Sequence, residues 1–192
     1  MLIGFLLFNG LLKKQIVVFA DGARDINGAV LKILHFANCK VILNWYHLEK
    51  KCKEQLSMAL RGSKIRNEFL DELLPCLWYG NVRGTIKQLK AIDSKKVRNA
   101  DVITYLIEYL ERVHGTIPCY ALRRELGLRN SCNLGEKAND LIVANRQKHN
   151  GMSWSNEGSL AFATVGAALF NDEINSWLHQ RDIGFVPVVN AA

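Results

Sequence analysis

The sequence predicts an α/β fold that is predominantly helical overall: a small strand, helix, strand core carrying a large all-helical insertion. Three observations predict it. Gln15 to Ala20 is a β-branched and aromatic run halted by Asp21-Gly22, the pattern of a buried strand that ends in a turn. Ile26, Ala29, Val30, Ile33, Leu34 and Ala37 then recur at three- and four-residue steps, and Val41-Ile42-Leu43-Asn44 is a second short apolar run. Two such strands joined by one helix imply a parallel pair with a right-handed crossover. From Trp45 to Arg129 no strand signal of any length follows.

Taken in order, the chain opens on an apolar run, Met1 to Leu12, that is too short to cross a bilayer. It lacks a basic leader and meets Lys13-Lys14 instead of a small-residue cleavage site, so neither a membrane nor a secreted protein is expected. It reads as a segment built for burial, whose exposure would lower solubility. After the second strand, helices are expected over residues 45 to 60, 64 to 78, 80 to 92, 95 to 113 and 118 to 126, separated at Arg61-Gly62-Ser63, Tyr79-Gly80, Asp93-Ser94, His114-Gly115 and Gly127. A further helix is expected over 133 to 149, stopped by Gly151. Another opens at Ser153 or Ser155 with Glu157 in its first turn and small apolar residues beyond. The organisation expected is a core at 1–44, the helical insertion at 45–130, a glutamate helix and core helix at 131–170, and a C-terminal helix and loose tail at 171–192.

Composition narrows the function classes. An apolar content of 49% in 192 residues is enough for one good core. The net charge of +7, from 25 Lys and Arg against 18 Asp and Glu, favours a polyanionic partner. Five widely spaced cysteines without a CxxC pair argue against a zinc ribbon or a disulfide framework and for reduced, packed thiols in a cytosol. No Gly-rich phosphate loop or GxSxG elbow is present, which weakens a nucleotide enzyme or an α/β hydrolase.

The motifs carry more. Ala20-Asp21-Gly22-Ala23-Arg24 puts a carboxylate at a strand end; Ile42-Leu43-Asn44-Trp45-Tyr46-His47-Leu48-Glu49-Lys50-Lys51-Cys52 follows the second strand; Gly135-Glu136-Lys137-Ala138-Asn139-Asp140 opens a helix, with Met152-Ser153-Trp154-Ser155 beyond it. In this order they resemble bacterial insertion-sequence transposases of the DDE, ribonuclease-H-like superfamily, over residues 14 to 170. The resemblance implies a partial ribonuclease-H-like core, with Asp21 matching the family's second aspartate, Glu136 its glutamate and His47 a histidine close to the metal site. It implies Mg²⁺ or Mn²⁺ bound by Asp21 and Glu136, weakly, because the first aspartate has no counterpart: the twenty residues before Asp21 contain no acid. A C-terminal part of a transposase, inactive alone, is therefore expected. Asn44 stands where the family often has an aspartate, so any role there that needs a charge is lost.

Two divalent ions held by oxygen ligands can activate a nucleophile and stabilise a leaving oxyanion, which is the chemistry of DNA strand transfer. Cationic DNA contacts are expected from Arg123, Arg124, Arg129, Lys137, Arg146, Lys148 and His149, with Trp154 as an aromatic platform. The expected partners are DNA, as transposon ends, and another transposase subunit or a second copy of the chain, in a bacterial cytoplasm at the nucleoid. The competing readings are bland: an Asp-Gly turn at Asp21, a helix N-terminal carboxylate at Glu136, a capping or packed histidine at His47 and a solvated basic face. They combine into a non-enzymatic basic helical protein that binds nucleic acid or a transposase.

Overall fold

A computed structural model describes residues 2–147 and 153–180. The chain is predominantly helical with one small parallel sheet, and it divides into two compact units, Leu12–Ser131 and Met1–Leu11 together with Cys132–Ala192.

The first unit contains the strand, helix, strand element. β1 (Ile16–Ala20) and β2 (Cys39–Leu43) pair in parallel, from Ile16 opposite Cys39 to Ala20 opposite Leu43, and α2 (Arg24–Ile33) joins them. The expected helix ran to Ala37, but Leu34 leaves helical geometry with its N–H closing on the Val30 carbonyl. β2 buries Val41, Ile42 and Leu43 in succession, as a strand covered on both faces must. Its end runs without a loop into α3 (Trp45–Ala59), because Asn44 caps that helix: its Oδ1 accepts the Tyr46 N–H at 3.0 Å while its own N–H donates to the Ala20 carbonyl at 2.9 Å. Asn44 is thus a fully buried helix cap.

α3 continues into α4 (Ser63–Trp78), α5 (Val82–Lys90), α6 (Ala100–Val113) and α7 (Tyr120–Glu125). Their buried residues recur at helical spacing: Leu48, Cys52 and Leu56 in α3, Leu73 and Leu77 in α4, Leu106, Leu110 and Val113 in α6. α6 packs along α3, and Tyr120 of α7 is fully buried against Trp45 and Trp78. One expected helix of the insertion is corrected. The span 95 to 113 is not continuous: Ser94–Lys96 is a single 3-10 turn, Val97 bridges to Leu60, and α6 starts only at Ala100, where Asn99 accepts the Asp101 N–H at 3.1 Å. Asn99 favours a cap over a helix interior, and Arg98 holds the turn by donating to the Met58 carbonyl.

Burial sets the alkaline limit of this core. The Cys52 thiol is pushed up to about 12, by burial first and Glu49 second, and the Tyr109 phenol also to about 12, again by burial first. Tyr120 is raised too, mainly by burial. Raised values mean that the folded chain holds these protons where the unfolded chain releases them, so their contribution is complete below the unfolded thiol value of 9.0 and is lost as the pH climbs toward about 12. The unfolding free energy from urea titration should therefore be flat to about pH 8 and fall beyond about pH 9, by up to about 1.4 kcal/mol per pH unit for each group left protonated, and the urea midpoint with it, with Cys52→Ala flattening the first part of the fall. A midpoint unchanged up to about pH 11 would refute this.

The second unit holds α1 (Leu2–Phe8), α8 (Asn133–Asn139), α9 (Asn145–Gln147), α10 (Asn156–Phe170) and α11 (Ile174–Gln180). The glutamate helix is not regular: Asp140–Ala144, between α8 and α9, forms a π-helical turn. α10 starts where expected, with Ser155 Oγ accepting the Gly158 N–H at 3.1 Å, and it is tied back by Ser159 Oγ donating to Gln147 Oε1 at 2.7 Å. The apolar opening segment is a helix with Leu6 buried but Leu7 and Phe8 exposed. Ile183 to Ala192, expected as a loose tail, lie outside the described residues. Among the described residues no helix is long and apolar enough to cross a membrane.

Candidate functional site

Asp21 stands one residue past the C-terminal end of β1, where the strand hydrogen bonding stops and the backbone turns toward α2. Its Oδ1 accepts the Ala23 N–H at 2.9 Å, so the Asp-Gly turn expected of this dipeptide is formed by the carboxylate itself. Asp21 is exposed, and its second oxygen makes no hydrogen bond among the described residues. Gly22 is buried with φ of 85°. A Cβ there would lie 2.9 Å from Tyr109 Oη and 3.1 Å from Leu43 Cδ1, so only glycine allows the insertion helix α6 to close over the strand end.

That closure creates an open cleft of about 430 Å³. Asp21, Gly22 and Ala23 form one wall, His47, Lys50, Lys51 and Glu54 of α3 the floor, and Tyr109 and Arg112 of α6 the far wall. His47, Lys50, Lys51 and Glu54 share a face because three- and four-residue steps align on a helix. Arg112 donates from Nη1 to the Gly22 carbonyl at 3.0 Å and lies 5.4 Å from the Tyr109 ring centroid, while the Lys51 ammonium lies 6.0 Å from the same ring. Lys50 is 3.9 Å from Glu54, one turn further on. Among the described residues, Lys51 and Arg112 make no ion pair. Beyond burial, Cys52 and Asp21 raise the Tyr109 phenol further against the lowering effect of Arg112, so the tyrosine is a neutral hydrogen-bonding group at physiological pH.

Of the residues expected to carry function, Asp21 and His47 are brought into one cleft. Glu136 lies in the other compact unit, exposed in the first turn of α8, with Oε1 accepting from Cys132 Sγ at 3.1 Å. Arg123 closes a loop within the first unit, donating from Nη2 to the Arg129 carbonyl at 2.7 Å, and sits 5.9 Å from the Phe19 ring. That loop is itself anchored, since Asn130 donates to the Tyr120 carbonyl and accepts, through its own carbonyl, the Trp45 N–H. Arg124, Arg129 and Lys137 are exposed. Trp154 is half-buried, its ring 5.1 Å from that of Phe162, so much of the expected platform is packed within its own unit. Lys148 and His149 lie outside the described residues, as does the side chain of Arg146.

Sequence pattern alone does not single out Tyr109 and Arg112 as site residues. Tyr109 belongs to the apolar stripe of α6, and Arg112 looks like one more surface cation; their three-residue spacing, one facing the core edge and one the solvent, is the available signal. Among the described residues no three His, Cys, Asp or Glu side chains gather into a group that could hold a metal ion. No family model, curated protein or solved structure matches the chain.

Proposed function

We propose that this chain is a nucleic-acid-binding segment of a DDE-type transposase with a ribonuclease-H-like core, whose intact relatives cleave and join DNA strands. The observation that carries the reading is the cleft at the end of β1, where Asp21 shares the lining with His47, Lys50, Lys51 and Arg112, and Glu54 lies 3.9 Å from Lys50. A carboxylate ringed by cations at a strand terminus suits a phosphodiester better than a neutral ligand. Lys50, Lys51 and Arg112 can hold phosphate oxygens, and His47 can donate to one.

A divalent ion bound here would polarise a phosphoryl oxygen and favour an attacking hydroxide. The donor set fits one hard cation at most: Asp21 offers a single uncommitted oxygen, Glu54 lies against Lys50, and Mg²⁺ accepts one or two carboxylates with water completing its shell. It does not fit a two-ion site, which needs further carboxylates. We therefore assign binding to this cleft and no strand cleavage to the chain by itself. The opposing reading, a purely cationic binding module, draws on the same shortage of acids.

Calorimetry with Mn²⁺ separates the two. Weak binding to the wild-type chain is expected, and Asp21→Asn should abolish it; binding that survives this change would remove Asp21 from any metal site. DNA affinity should fall with added salt in both readings, but only the transposase reading makes it respond to chelator.

A further inference from the structure

A second hollow, of about 380 Å³, adjoins the Asp21 cleft along the seam between α3 and α6. The two share Lys51, Tyr109 and Arg112, so one groove runs from the strand end along the helical insertion. Its outer part adds Tyr105, Gln55 and Glu108. Tyr105 lies one helical turn from Tyr109 on the same face of α6, and 65% of its surface is exposed. Lys51 and Arg112 sit beside the Tyr109 ring, which holds both cations at the groove without an opposing carboxylate and limits the freedom each loses on binding. Two cations flanking the half-buried Tyr109 ring, with the exposed Tyr105 ring beyond, are what an unpaired polynucleotide strand needs: ammonium and guanidinium groups for phosphates, a flat face for a base.

We propose that the α3–α6 groove is a binding track for a single polynucleotide strand, with Lys51 and Arg112 holding successive phosphates and Tyr105 stacking a base, leading the strand to Asp21. The track rests on the nucleic-acid reading above but not on any metal. It also gives the helical insertion a role at the strand end, since Arg112 both holds the Gly22 carbonyl and keeps its remaining N–H donors for the polynucleotide.

The test is fluorescence anisotropy of the full chain with a labelled oligothymidylate in chelator at low salt. Lys51→Gln and Arg112→Gln should each weaken binding on the order of fivefold and lower the salt slope by about one. Tyr105→Ala should weaken it similarly without changing the slope, and Arg112→Lys should recover part of the loss. Lys95→Gln, on the 3-10 turn away from the groove, should change neither. Among the described residues, the side chains of Lys51 and Tyr105 make no hydrogen bond that the fold uses, so their variants remain informative if Arg112→Gln disturbs the Gly22 turn. Wild-type affinity and slope in Lys51→Gln and Tyr105→Ala would overturn the track and leave DNA binding elsewhere on the chain standing. An equal loss in Lys95→Gln would overturn it as a general charge effect. No binding by the wild-type chain in chelator would overturn the track, and no binding with Mn²⁺ added either would overturn the nucleic-acid reading as well.

Discussion

Replacing Tyr120 with alanine is expected to cost about 3–5 kcal/mol, enough to leave the first unit largely unfolded at moderate urea. Tyr120 is fully buried, its ring 5.1 Å from Trp45 and stacked 5.8 Å from Trp78. Its hydroxyl donates to the Leu43 carbonyl at 2.7 Å. Truncation would open a cavity between two tryptophans and strip a buried carbonyl of its donor, and both penalties act together. Tyr120→Phe isolates the second: the ring remains, and the loss should shrink to about 1–3 kcal/mol. Because Leu43 ends β2 opposite Ala20, the same hydroxyl also fixes the strand end from which Asp21 projects. Urea denaturation of the two variants checks this, and a change under about 1 kcal/mol for Tyr120→Ala would show that α7 does not anchor the sheet.

The strand, helix, strand unit was legible in the sequence because its signals are local: β-branched runs of fixed length, a turn dipeptide and a three-to-four periodicity between them. The helices of the insertion were legible for the same reason, down to the Gly62 and Gly80 breaks, both at positive φ. What local pattern could not supply was where capping defeats periodicity. Asn99 begins α6 later than the apolar spacing allowed, and Asn44 is a buried cap. The cleft was half legible. Asp21 and His47 flank consecutive elements, so short-range order placed both at one end of the sheet. Tyr109 and Arg112 reach the same place only through the packing of α6 on α3, a contact between residues far apart in the chain that no periodicity announces. Arg123, a cation expected to meet DNA, also closes a loop through the Arg129 carbonyl, a contact that the charge pattern does not announce.

Gly22→Ala should be the most damaging small substitution at the candidate site. At φ of 85° an alanine carries a backbone penalty of about 1–2 kcal/mol whatever surrounds it. Here the added Cβ also meets Tyr109 Oη at 2.9 Å and Leu43 Cδ1 at 3.1 Å. Leu43 is buried in β2 and cannot retreat, so Tyr109 must move, and with it the ring beside which Lys51 and Arg112 are held. The expected result is a stability loss of about 2–4 kcal/mol together with loss of oligonucleotide binding, since the Arg112 bond to the Gly22 carbonyl is displaced at the same time. The two causes separate in a double variant. Tyr109→Phe removes the oxygen that the new methyl strikes first but leaves the backbone strain and the Leu43 contact untouched, so Gly22→Ala combined with Tyr109→Phe should recover the share due to the Tyr109 oxygen and retain a deficit of at least about 1–2 kcal/mol. If the double variant is no more stable than Gly22→Ala alone, the close approach of α6 is not what demands glycine, and the cleft wall is looser than its contacts imply.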